Sequence, residues 1–282
     1  MTPLHLGAVG YLNARPLVYG LERVPGFTLR FDVPSECARL LQAGEIDLGL
    51  IPSIEYLRGD GYRIVPDLAI ASRGPVASVA LYTTRAMSDV RSIVVDTSSR
   101  TSVALVRVLC ARQFKIQPAI EAHAPRLDDM LARGDAALLI GDNALLLDHT
   151  SIRPRQPADA PGGPRGADAR VEKIDLGDAW TSMTGLPFVW AFWAGRAGAA
   201  TEVDCLALKT ARDEGVGQTE AIAREYFHHA PQYRDRAASY LRENIKYYLG
   251  GDERAGLELF YRYAAEIGVV PGGRAPRYYG QA

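Results

Sequence analysis

PSECARLLQAGEIDLGLIPSIEYL, residues 34–57, is the stretch whose reading decides the fold. Pro34, Ser35 and Glu36 open an amphipathic helix carrying Ala38, Leu40 and Leu41, and Gly44 stops it. Ile46 to Ile51 then reads as a buried strand, broken by Pro52-Ser53, where a further helix starts. Strands alternating with helices at this spacing predict a parallel α/β sheet, because the crossover between parallel strands is normally a helix.

Working outward, Leu4 to Val9 predicts a strand that ends in Gly10, Tyr11, Leu12 and Asn13, with a helix opening at Arg15-Pro16. Phe27 to Val33 alternates as a strand does. Downstream, VASVALYT (76–83) reads as an extended crossing strand. A second α/β unit follows: the run Ile93 to Val95, the polar cluster DTSSRTS (96–102), a helix from Val103, a strand at 120–123, a helix near 127–133, and a strand 136–140 ending in Gly141-Asp142-Asn143. Residues 153–170 are rich in Pro, Gly, Ala and Arg without apolar period, and predict a flexible surface loop. A strand near 188–193 returns, and helices are expected near 202–214, 218–229, 233–247 and 252–267. Two crossings predict a discontinuous lobe, 1–83 with 191–282, closing on a second lobe, 84–190. This is the two-lobed α/β clamp of periplasmic-binding-protein type II, with the ligand in the cleft where strand ends meet. That architecture serves binding, sensing and catalysis alike.

The 282 residues are 48% hydrophobic and 23% charged, and 32 Lys and Arg against 33 Asp and Glu leave a net charge of −1. No overall basic field exists to hold nucleic acid or anionic lipid, so an anionic ligand must be caught locally. Cys37, Cys110 and Cys205 form no CxxC and read as buried free thiols. No stretch reaches the ~18 to 20 apolar residues of a membrane span, and the opening MTPLHLGAVGYLNARPL lacks a basic leader and cleavage site. A cytoplasmic protein is expected.

Signatures of metalloproteases, α/β-hydrolases and P-loops are absent, and His5, His123, His149, His228 and His229 make no metal-ligand spacing. What remains are hydroxyls and amides at strand ends. Thr97, Ser98, Ser99, Thr101 and Ser102 precede a strong helix, whose free amides favour a carboxylate or phosphate. One helix cap needs one hydroxyl, and five stand here. Ser53 and Ser78 are matching candidates in the first lobe, Asn13 sits at the first strand end, and Arg15 either pairs with a ligand carboxylate or faces solvent. Trp180 is admitted as a cleft wall.

Six blocks, GAVGYLNARPLVYGLE (7–22), GEIDLGLIPSIEYL (44–57), VVDTSSRTSVALVRVL (94–109), ALLIGDNAL (137–145), DAWTSMTGLPFVWAFW (178–193) and NIKYYLGGDERAGLELFYRYAAEIGVVP (244–271), resemble the chorismate dehydratase family of the futalosine route to menaquinone. The resemblance spans nearly the whole chain in order. It implies a lyase that removes water from chorismate to give 3-enolpyruvylbenzoate, with no metal or organic cofactor. The sister 1,4-dihydroxy-6-naphthoate synthases share the fold, but a histidine is expected at their cleft where this chain has Gly141-Asp142-Asn143. A non-catalytic small-anion binding module is the third reading. Chorismate carries two carboxylates, so Thr97 to Ser102 would hold one and Ser53 with Ser78 the other, in either order. Asn13 matches the family position set against substrate and is expected to orient the reacting face, and Gly141 is expected to bind substrate. Asp142 is the one acidic candidate for general base; the alternative is the substrate's own enolpyruvyl carboxylate. The sequence carries no signal of oligomeric state.

Overall fold

The computed structural model describes residues 3–152, 170–272 and 274–281. The loop expected at 153–170 therefore lies, but for Arg170, outside the described residues. In chain order the elements are β1 (Leu4–Val9), β2 (Phe27–Asp32), α1 (Pro34–Ala43), β3 (Leu48–Pro52), β4 (Tyr62–Ile64), β5 (Ile70–Ser72), β6 (Val79–Thr83) and β7 (Ser92–Asp96). There follow α2 (Thr101–Leu109), β8 (Ala119–His123), α3 (Leu127–Leu131), β9 (Ala136–Ile140), α4 (Gly141–Leu145), β10 (Glu172–Asp175), α5 (Leu176–Thr184) and β11 (Phe188–Arg196). The chain closes with α6 (Glu202–Val216), α7 (Thr219–Tyr226), α8 (Arg234–Ser239) and α9 (Gly251–Glu266).

The strands form two sheets, ordered β2-β1-β3-β11-β4, with β5 also on β11, and β10-β6-β9-β7-β8. Within each, the α/β units are parallel as expected: β1 with β2 and β3, and β7 with β8 and β9. The crossing strands run the other way, β11 against β3 and β6 against β9, so both sheets are mixed. The pairing corrects two boundaries. β6 lies between β9 and β10 in the second sheet, so the first crossing precedes Val79 instead of following residue 83, and β11 enters the first sheet at Phe188, before residue 191. All five β6 residues are buried, and a wholly buried apolar run carries no mark of which sheet it joins. The short strands β4, β5 and β10 have too few residues to show a period.

The helix expected at Arg15-Pro16 is instead a 3₁₀ segment, Leu12–Val18, with Pro16 inside it. Proline there removes a donor and blocks a regular α-turn. Gly215 of α6 lets that helix close on it, since a Cβ at 215 would stand 2.3 Å from the Pro16 carbonyl. α9 packs its Leu257, Phe260 and Ala264 inward, against β11 and α2. Cys37, Cys110 and Cys205 are buried and unpaired, and burial pushes the Cys37 and Cys110 thiols up to about 12. No helix among the described residues is long and apolar enough to cross a membrane.

Candidate functional site

The carboxyl ends of β1, β3, β7 and β9 converge on a cleft between the sheets with about 540 Å³ of empty space, some of it open to solvent. Tyr11, Asn13, Ser78, Ser99 to Ser102, Gly141 and Trp190 line it, among apolar residues.

One wall is the amino end of α2. Its first amides have no partner within the helix, no side chain caps them, and the hydroxyls of Ser99 and Ser102 accompany them, both residues being buried. Arg100 stands at the N-cap, and no ion pair or hydrogen bond engages its guanidinium among the described residues. It is the cation of the cavity lining, and nothing in a run of hydroxyls sets it apart in the sequence. The Thr101 hydroxyl is committed elsewhere, accepting the Ile54 amide at 3.2 Å and lying 3.4 Å from Ser53 Oγ. It ties the lobes together, and only its backbone remains for a ligand.

The opposite wall holds Asn13 and Ser78. Asn13 Oδ1 is buried with no hydrogen-bond partner among the described residues. Its amide also reaches the Tyr240 hydroxyl, which donates to Ser78 Oγ at 2.7 Å. Ser78 ends a strained turn: its amide donates to the Val76 carbonyl at 2.7 Å, and Ala77 between them has φ +63°. This three-residue turn with positive φ is rare and costs a non-glycine residue about 1–3 kcal/mol. Trp190, held by donation to Ser72 Oγ at 3.1 Å, forms the aromatic wall. Trp180 does not. It is fully buried beside Phe188 and Phe260, donating to the Pro187 carbonyl, and belongs to the core.

Gly141 combines φ +62° with contact to the Tyr11 ring, 2.8 Å from where a Cβ would stand, so only glycine fits. Asp142 next to it does not line the cleft. Its Oδ1 accepts the Leu12 amide at 3.2 Å and its Oδ2 lies 2.5 Å from the Tyr226 hydroxyl, which also faces the Gly10 carbonyl at 3.0 Å. Burial raises the Asp142 carboxyl above its ordinary range, with Tyr226, Leu12 and Arg15 pulling it back. These bonds make a latch from α4 to the β1 end and α7.

Four further expectations are corrected. Arg15 turns away from the cleft, its guanidinium 4.2 Å from the Phe31 ring and 5.1 Å from that of Tyr226. Ser53 is fully buried and donates to the Val189 carbonyl at 2.8 Å, which keeps its hydroxyl from the cavity. Thr97 is exposed, outside the lining. Ser98 is spent on Asp96, donating through both amide (2.8 Å) and hydroxyl (2.7 Å), and meets the cleft wall only through the Tyr11 hydroxyl at 3.3 Å. None of the histidines lines the cleft, and no group of three metal-ligating side chains occurs among the described residues.

Asp96 itself is 1% exposed, with Oδ2 unpartnered among the described residues and its carboxyl raised by burial, partly offset by Ser98. A carboxyl whose folded pKa exceeds its unfolded one contributes stability below the unfolded value that is lost as pH rises through the folded value. Calorimetry from pH 4 to 7 is therefore expected to show Asp96→Asn gaining on the wild type in melting temperature as pH rises. A pH-independent difference would refute this.

Residues 4–266 match a family model described as menaquinone biosynthesis. The chain is 34% identical over 262 residues to the chorismate dehydratase of Thermus thermophilus, covering 92% of this chain and 94% of that one. Among solved structures, an Archaeoglobus fulgidus structural-genomics protein superposes with a TM-score of 0.69 at 16% identity, over 95% of this chain and 98% of that one. The periplasmic aliphatic sulphonate binding protein of Escherichia coli gives 0.61 at 16% identity, over 96% and 94%. At such identities the structures speak to the fold, which is the two-lobed periplasmic-binding-protein type expected from the order of elements.

Proposed function

Because the chain belongs to the menaquinone biosynthesis family, we propose that it is a carbon–oxygen lyase that removes water from chorismate to give 3-enolpyruvylbenzoate. The observation that carries the reading is one cleft with two unlike polar walls, the open amides of α2 with Arg100 on one side and Asn13 with Ser78 on the other. A dicarboxylate in a chain of net charge −1 needs local attraction at both ends, and these walls supply it.

Dehydration removes the C3 proton and the C4 hydroxyl, and the ring becomes aromatic. The C3 proton is acidic through conjugation to the ring carboxylate, so donors gathered on that carboxylate stabilise the charge that develops there. The α2 amides and Arg100 take this role, while Ser78 and Asn13 hold the reacting face in register. Asp142 is engaged in the latch and lies outside the cleft lining, and in this reading the substrate's enolpyruvyl carboxylate takes the C3 proton and returns it to the departing C4 hydroxyl, so that water leaves. Closure of the lobes, tied by Thr101 and Asp142, excludes water from that transfer.

Incubation of the purified protein with chorismate, followed by liquid chromatography and mass spectrometry against a protein-free control, is expected to give a product lighter by one water with a benzoate spectrum. Unchanged chorismate would overturn the reading. Binding without turnover would then favour a small-anion binding module.

A further inference from the structure

We propose that Asp175 and Lys173 are positioning residues that hold the strained Val76–Ala77–Ser78 turn against the cleft and so set where the Ser78 hydroxyl meets its ligand. The inference rests on the reading of Ser78 as a substrate contact.

Neither side chain lines the cavity, yet together they grip both polar groups of the strained residue. Asp175 accepts the amides of Val76 at 2.9 Å and Ala77 at 2.6 Å, and Lys173 donates to the Ala77 carbonyl at 2.8 Å. Two apart on β10, they face the same way. Their strand pairs antiparallel with β6, Lys173 opposite Tyr82 and Asp175 opposite Ala80, so the clamp sits beside the strand that leaves the turn. Asp175 also accepts the amides of Gly177 and Asp178 as the N-cap of α5, which anchors the carboxylate from the other side.

This arrangement explains why an alanine tolerates φ +63° at a cavity wall. Strained backbone persists where its surroundings over-determine it, and such positions concentrate at functional sites. Without the clamp, Ala77 relaxes toward negative φ and carries the Ser78 hydroxyl away from Tyr240 and from the cleft.

The test is a set of variants, Lys173→Met, Asp175→Asn and Ala77→Gly, with the corresponding doubles, measured for kcat, KM and melting temperature. Lys173→Met leaves the α5 cap intact and is expected to raise KM for chorismate about tenfold with kcat within about threefold. Glycine adopts positive φ without strain, so Ala77→Gly in that background is expected to return KM to within about threefold of wild type. Asp175→Asn is expected to lose thermal stability through the cap as well, and to lose less when residue 77 is glycine. An equal KM increase with alanine or glycine at 77 would overturn the clamp. If the wild-type chain leaves chorismate unchanged, the functional reading fails separately, and melting temperatures judge the clamp. Non-additivity of Lys173→Met with Ala77→Gly supports it, and additivity overturns it.

Discussion

Replacing Asn13 by alanine is expected to lower kcat about 100- to 1,000-fold while KM moves less than about threefold, the pattern of a polar group whose contact strengthens in the transition state. The expectation rests on its amide oxygen, buried at the cleft with no partner among the described residues. A buried acceptor left unpaired is costly, so such a group in a native site points to a partner supplied on binding. Its neighbour Tyr240 donates to Ser78 Oγ at 2.7 Å, which fixes the hydroxyl beside the amide. Steady-state kinetics with chorismate decides the matter. A large rise in KM with unchanged kcat would reduce Asn13 to ordinary substrate binding, and a collapse of thermal stability would make it structural.

The second large effect belongs to Asp142. Truncation to alanine leaves the Leu12 amide without its acceptor and the Tyr226 hydroxyl with only the Gly10 carbonyl. A buried donor left unsatisfied costs about 1–3 kcal/mol, so a loss of about 1–3 kcal/mol in folding stability is expected, with kcat/KM falling about 100-fold as the lobes lose their alignment. Asp142→Asn keeps an acceptor for Leu12 and lets Tyr226 turn to Gly10, so its kcat should stay within about tenfold of wild type. Denaturant unfolding and kinetics on the two variants separate positioning from proton transfer. Abolished turnover in Asp142→Asn with chorismate affinity intact would assign the base to Asp142 and displace the substrate carboxylate from that role.

These expectations show how unevenly the site was legible. The cluster at 97–102 announced an anion seat, and Ser99, Thr101 and Ser102 do line the cleft. A run of hydroxyls does not say which are already spent, however. Ser98 is used by Asp96 two residues before it, while Thr101 is spent on Ile54 and Ser53 on Val189, partners that only folding brings near. The place of Arg15 two residues after Asn13 allows either a ligand carboxylate or solvent as its partner. In a tight 3₁₀ segment two residues turn the side chain to another face, where Phe31 and Tyr226 receive it. Arg100 went unread because a basic residue inside a polar loop has no period to mark it.

What the sequence alone determined is local: which of the longer apolar runs become strands, where α1 and α9 begin, that strand ends carry small polar residues, and that the order of units makes two lobes. Those properties depend on neighbours within a few positions and on the apolar period, both written in the chain. The tertiary structure decided which sheet β6 joins, that Asp142 latches the lobes instead of facing the ligand, and that Trp190 and not Trp180 walls the cleft. It also brought Tyr226, Tyr240, Lys173 and Asp175 to residues more than 80 positions away. Such pairings are settled by packing between elements, where hydrogen-bond geometry and burial act across the cleft and no short-range pattern records them.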